Sequence, residues 1–508
     1  MVSVLCPVCG AEDSFITHSA QSRRLVDKLW SYCNVLRDDG VGTVDYTEQL
    51  TYLLFLKMAH ERELNALRPE KIVPENCSWQ RLLDADGAEL ETVYSDILEK
   101  LSRQPGVLGT IYRKAQNKIQ DPAKLKRLIV ELIDQENWSS TGVDIKGDAY
   151  EALLEKGAQD MKSGAGQYFT PRALIAAMVD CVQVTADDTV NDPATGSGGF
   201  LLSAYEHAAH PDTLTPKQRD HLQSGFATGT ELGNGPARLA AMNMLLHGMG
   251  TANGDSPIEV KDSLTADPGK RYSVVLANPP FGTKASNTFV GADGKISKSN
   301  LEIVRDDFWV TTSNKQLNFV QHIKTILAIH GRAAVVLPDN VLFEGGAGET
   351  VRKRLLKEFN VHTLLRLPTG IFYAGGVKAN VVFFDKKPAS DSPWTKELWV
   401  YDFRTNKHFT QKTKALTRGD LEDFVQAYKP GAANQRVESE RFKKFTYEEI
   451  LERDKTNLDI IWLKDGSIIN PQDLPAPDVI AEEILDNLES AMEDIKGLLV
   501  SLRKPDLA

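Results

Sequence analysis

Asp192-Pro193-Ala194-Thr195-Gly196-Ser197-Gly198-Gly199-Phe200 is the stretch on which the fold of this 508-residue chain turns. A short β-rich run, Thr189 to Asn191, precedes it, and Phe200, Leu201, Leu202 and Tyr205 follow in a helical pattern. Glycines in such a turn let the backbone approach a ligand, and the helix start offers unpaired N–H groups. No Lys-Ser/Thr follows the last glycine, and the G-x-G-x-x-G spacing is not met, so the phosphate-loop and dinucleotide signatures are excluded.

Working outward, the same alternation of short β-rich and helical runs extends from about residue 150 to 390. The further strands expected are Ser273 to Ala277, Arg332 to Leu337, Val361 to Leu367 and Asn380 to Asp385. Strands separated by helices predict an α/β fold with a mostly parallel, doubly wound, Rossmann-like sheet. Such sheets take ligands beyond the carboxyl ends of their strands, so the chemistry belongs in the turns that follow them.

One of those turns is Asn278-Pro279-Pro280-Phe281, after the strand Tyr272 to Ala277. Two prolines fix the backbone and remove two donors, leaving carbonyl acceptors. The Asn278 side-chain oxygen and the Pro279 carbonyl suit an exocyclic NH2 group, and Phe281 offers a face to a planar base. Bonds of that kind free the nitrogen's lone pair for attack on a sulfonium methyl. Taken alone, the four residues also suit a rigid turn capped by Asn.

The flanks carry less chemistry. Residues from about 20 to 150 read as helical: Leu25, Leu29, Tyr32 and Leu36 recur at helical spacing, and Leu50 to Met58 suits a buried helix. Asp121-Pro122 opens another helix, through Leu132, with Asp at the cap and Pro at the first position. Beyond residue 390 one more strand is expected at Leu398 to Phe403. A last helix, Asp478 to about Lys504, carries Leu485, Leu488, Met492, Ile495, Leu499 and Leu502 alternately three and four apart. That pattern suits a coiled-coil seam or a helix packed on its own domain. The organisation expected is an N-terminal extension (1–21), an all-helical N-terminal domain (22–150), a catalytic domain (151–390), and a C-terminal region (391–508) ending in a partner-binding helical tail.

Composition bounds the rest. The chain has no apolar run of the roughly 18 residues a membrane span needs and no secretory leader pattern, which predicts a cytoplasmic protein without a membrane partner. Cys6 and Cys9 form half of a zinc knuckle, with His18 and Cys33 the next donors; without a second pair no metal site is expected. A net charge of −11 is the wrong sign for a chain that grips a long phosphate backbone alone.

Taken in order, these segments resemble the amino-group DNA methyltransferases, and the long stretches around them the modification subunit of type I restriction-modification systems. Ser163 to Arg172 is similar to the family segment that closes over the methionine part of the cofactor, which implies S-adenosylmethionine contacts for Gln167, Tyr168, Phe169, Thr170, Pro171 and Arg172. Asp192, Gly196, Ser197, Gly198 and Gly199 match the first glycine motif. Glu231, in Thr230-Glu231-Leu232 ahead of Met242-Asn243, matches the acid that holds the ribose hydroxyls, and Asp262-Ser263 the segment near the adenine amine. Asn314-Lys315-Gln316, Pro338 to Phe343 and Leu367 to Phe372 also read as family segments.

The resemblance covers roughly residues 22 to 504. It implies direct methyl transfer to a flipped adenine of double-stranded DNA, with Asn278, Pro279, Pro280 and Phe281 as the catalytic turn and Phe372 or Tyr373 as a second aromatic. Asn at 278, where some of these enzymes have Ser, points to adenine over cytosine. The family's partners are a specificity subunit that chooses the site, a second copy of the modification subunit and, in the full complex, restriction subunits. A free-standing methyltransferase, a protein or RNA methyltransferase and a scaffold that has lost activity are the other readings.

Overall fold

The computed structural model describes residues 27–32, 35–36, 40–65, 69, 71–138, 170–209, 214–251, 254–281, 286–290, 296–300, 302–372, 377–410 and 414–464. Cys6, Cys9, His18, Cys33, Gln167, Tyr168, Phe169, Tyr373 and the expected seam from Leu485 to Leu502 lie outside the described residues.

The N-terminal region is helical: α1 Thr43–Glu63, α2 Trp79–Asp84, α3 Gly87–Ser102, α4 Gly106–Ile111 and α5 Pro122–Arg127. Leu29, Tyr32 and Leu36 are buried, as are Leu50 and Leu53 to Leu56 of α1. The start of α5 has the cap its sequence predicts, with the Asp121 carboxylate accepting from the Ala123 N–H at 2.8 Å and Pro122 in the first turn.

After residue 170 helices and strands alternate. In chain order they are α6 Arg172–Val182, β1 Val190–Asp192, α7 Gly199–Ala209, α8 Pro216–Ser224, β2 Ala227–Glu231, α9 Asn234–Leu246, β3 Ile258–Val260 and β4 Tyr272–Ala277. A separate antiparallel pair, β5 Ser286–Val290 and β6 Ile296–Asn300, comes next. Then follow α10 Lys315–Ile326, β7 Leu327–Pro338, α11 Asp339–Phe343, α12 Ala347–Glu358, β8 Phe359–Arg366, β9 Ala379–Lys386, β10 Glu397–Asp402, α13 Glu422–Tyr428, β11 Phe442–Thr446 and α14 Tyr447–Glu452.

Nine strands form one sheet in the order β3-β2-β1-β4-β7-β9-β8-β10-β11. The neighbours from β3 to β7 pair in parallel, β9 runs antiparallel between β7 and β8, and β10 is again parallel to β8. Alternation along β4 shows why both faces are covered. Val274 and Leu276 join a core with α6, α7 and α9, whereas Val275 and Ala277 join a second core with α10, α11 and α12.

All six expected strands are present. β2 and β3 were not marked by local pattern: β2 has a glycine at its centre and β3 is three residues long, and they form because β1 offers an edge to β2 and β2 offers one to β3. The boundary expected at residue 390 is corrected. β10 pairs with β8 from Trp399↔Thr363 to Asp402↔Arg366 and β11 pairs with β10, so the sheet continues to Thr446.

The helical region is bolted to the sheet through α9. Arg238, 5% exposed, donates from Nε to the Ile111 carbonyl (2.6 Å) and from Nη2 to the Arg113 carbonyl (3.0 Å), and its Nη1 pairs with Glu48. Its guanidinium lies 4.9 Å from the centre of the Tyr52 ring, and burial lowers its pKa to about 10. Removing a buried cation with this many partners strands two carbonyls and a carboxylate. Arg238→Ala is therefore expected to destabilise the protein by about 3–5 kcal/mol, read as a lower midpoint in denaturant unfolding.

Candidate active site

The expected site segments gather at the carboxyl edge of the sheet. β1 ends at Asp192, β2 at Glu231, β3 just before Asp262, and β4 at Ala277 with Asn278 next. β1 lies between β2 and β4, so the glycine turn and the Asn278 turn leave neighbouring strands.

The glycine turn is held from several elements. Glu231 accepts the Gly196 N–H on one carboxylate oxygen and the Gly233 N–H on the other, both at 2.9 Å. Asn243 on α9 donates to the Ser197 carbonyl (3.1 Å), Ser263 to the Pro193 carbonyl (2.5 Å), and Arg172 to the Gly199 carbonyl (3.0 Å). Gly196 and Gly198 have φ of +55° and +89°, where an L side chain is strained. A Cβ on Gly198 would lie in van der Waals contact with Ala240, while one on Gly196 would face open space. The turn thus presents bare backbone outward, beside a half-buried acid and an exposed Leu232, a donor and acceptor set that fits S-adenosylmethionine.

Asp192 is fully buried, accepts the Ala194 N–H at 2.9 Å, and has its carboxyl pushed up to about 8 by burial, with the Glu231 charge adding to the effect. Asp262 is exposed and accepts the Leu264 N–H at 2.9 Å, which shapes the turn carrying Ser263.

The second turn is as closely fixed. Asn278, 7% exposed, donates from Nδ2 to the Thr170 hydroxyl at 2.8 Å. That bond ties the Asn278 amide to the segment ahead of the first helix of the sheet domain. Pro279 is buried and Pro280 exposed. Phe281 meets Phe372 edge to face, with ring centres 5.9 Å apart and planes at 70°. A base sandwiched by both rings needs them parallel and about 7 Å apart. Phe372 therefore buttresses Phe281 in this structure and does not stand opposite it.

Two contacts were not legible in the sequence. Asn243 was quoted only as part of a motif, although an Asn in the apolar pattern of α9 signals a specific bond. Thr170 was expected at the cofactor; its hydroxyl also bonds Asn278, 108 residues away.

Comparison with known proteins decides the family. The family model for N-6 DNA methylase matches residues 141–461. The chain belongs to the N-6 DNA methylases. The model for the HsdM N-terminal domain matches this methylase over residues 25–132. It is 36% identical to the EcoKI methylase subunit of a type I restriction enzyme from Escherichia coli, over 95% of this chain and 96% of that one. Identity and coverage are the same for the StySJI methylase subunit of Salmonella typhimurium. Among solved structures, the EcoKI M protein aligns over 96% of this chain and 97% of that one, with TM-score 0.52 and 32% identity. A putative type I modification subunit from Vibrio vulnificus shares the fold at TM-score 0.71 and 24% identity, over 89% of this methylase and 99% of that chain. The methylase is an adenine-specific DNA methyltransferase of the type I modification-subunit family, dependent on S-adenosylmethionine.

Two outcomes follow from the geometry. Thr170→Val is expected to slow methyl transfer about 10- to 100-fold in single-turnover assays, because the Asn278 amide loses the bond that orients it. For Asp192, the folded state holds the proton that an unfolded Asp releases near pH 4. The wild type should therefore lose stability as pH rises from about 4 to about 8. Asp192→Asn should lose that slope in denaturant titrations at a series of pH values; an unchanged slope refutes the assignment.

Proposed function

We propose that Asn278, Pro279, Pro280 and Phe281 receive the target adenine. Asp192, Gly196 to Gly199, Glu231, Asp262 and Ser263 hold S-adenosylmethionine beside it, with Thr170 to Arg172 closing the site. The observation that carries this is the bond from Asn278 Nδ2 to the Thr170 hydroxyl, which holds the Asn278 amide at the carboxyl end of β4, beside the glycine turn that follows β1. The cofactor brings an electrophilic sulfonium methyl; the protein's part is position and polarisation. The Asn278 oxygen accepts an N6–H and draws the adenine nitrogen toward tetrahedral geometry. Phe281 supports a face of the base once it has left the duplex stack.

The chain acts in the cytoplasm as the modification subunit of a complex in which another chain, a specificity subunit, selects the site. A second copy completes the methyltransferase, and restriction subunits join the full assembly. In support, the curated relatives it matches end to end are named subunits, and the net charge of −11 is poorly suited to gripping DNA unaided. Asn278→Ala is expected to abolish methylation while cofactor affinity, on the order of micromolar by titration calorimetry, is retained. If the purified chain alone methylates one defined short site, partner-dependent selection is wrong.

A further inference from the structure

In a chain of net charge −11, the segment Phe403 to Gly419 contains no acid and carries Arg404, Lys407, His408, Lys412, Lys414 and Arg418. It follows β10, whose carboxyl end lies on the same edge of the sheet as Asn278.

The base of this loop is rigid. Asp402 accepts the N–H groups of Arg404 and Thr405 and the Thr405 hydroxyl, at 2.8–2.9 Å. Arg404 reaches back over the sheet edge, pairing with both oxygens of Asp339 at 2.7 Å and donating to the Leu367 carbonyl at 2.8 Å. Farther along, a Cβ on Gly370 would fall 1.9 Å from the Phe409 carbonyl, so the loop rides directly on the turn Leu367 to Phe372. Phe372 at the end of that turn touches Phe281.

Two lysines take no part in this anchoring. Lys407 and Lys414 are exposed, and neither is paired with a carboxylate among the described residues. Each ammonium instead lies near a ring of the loop, Lys407 at 6.0 Å from the centre of Phe403 and Lys414 at 5.6 Å from that of Phe409. Asp420, the acid that feels both, is already bonded to the Thr417 hydroxyl and N–H. Arg418 is engaged by Asp180 and Glu422.

We infer that Lys407 and Lys414 form a phosphate-contact rim beside the acceptor pocket, binding the DNA backbone next to the flipped adenine. A base drawn into the pocket brings its flanking phosphates to the rim, where exposed cations bind them without reading sequence. This rests on the assignment of Asn278 to Phe281 as the acceptor site.

The test uses the methylation-competent assembly and a duplex carrying its site, with affinity measured by fluorescence anisotropy over a salt series. Lys407→Ala and Lys414→Ala should each flatten the slope of log affinity against log salt by about 0.9, and the double variant by about twice that. Lys→Arg at both positions should restore the slope, and cofactor affinity, unchanged throughout, reports an intact fold. An unaltered slope in the double variant overturns the inference, as does a loss of subunit assembly without a change in slope, which would make the rim a protein contact. Asn278→Ala separates the two assignments. If it methylates normally, the acceptor site is wrong; if it is inactive with a wild-type slope, the acceptor site stands and the lysine variants alone decide the rim.

Discussion

Two parallel strands, β1 and β4, lie side by side, and the chain leaves them into different layers. After β1 it enters α7, whose Phe200, Leu201 and Leu202 pack in one core; after β4 it goes on to α10, whose Leu317 and Val320 pack in the other. Where connections diverge at neighbouring carboxyl ends, the backbone opens a crevice that side chains from the strands do not fill. The glycine turn lines one wall of that crevice and the Asn278 turn the other. Everything chemical in the molecule depends on that adjacency.

A crevice between loops is useful only if the loops hold still. Here most anchors of the glycine turn are side-chain bonds to its backbone: Glu231 from β2, Asn243 from α9, Ser263 from the turn after β3, and Arg172 from α6. Groups fixed before a ligand arrives need no reorganisation when it binds. Glu231 holds the turn and keeps acceptor capacity to spare. Each oxygen already holds one N–H, yet a carboxylate oxygen has a second lone pair for a hydroxyl. The helical region joins this arrangement through α9, which carries both Arg238 at the domain junction and Asn243 at the glycine turn.

The two strands past β8 and β9 extend the scaffold where it matters. Arg366 pairs with Asp402 at 3.1 Å and with Asp459 at 2.9 Å, and Arg404 pairs with Asp339, so buried and partly buried ion pairs tie the far half of the carboxyl edge together. Exchanging such pairs for apolar residues need not cost stability, but breaking one partner leaves a buried charge. They fix where the loops after β7, β8 and β10 sit relative to one another.

Much of this was legible from sequence, because the signals are local. Short β-rich runs marked β1, β4 and β7 to β10, Asp121-Pro122 marked a helix start, and the glycine and Asn-Pro-Pro-Phe turns marked the two walls of the site. Order along the chain was enough to recognise a DNA adenine methyltransferase. Strand partners were not legible: β2 and β3 have too little pattern of their own, and β10 looked like the start of another region until its pairing with β8 placed it in the sheet. Nor could sequence place Thr170 against Asn278, the Phe372 edge against the face of Phe281, or a basic loop beside the acceptor turn. Local propensity is a property of adjacent residues, whereas a bond between positions 108 apart exists only once register and packing have brought the two together. The sequence by itself therefore determined which chemistry this protein carries; tertiary structure decided which side chains aim it.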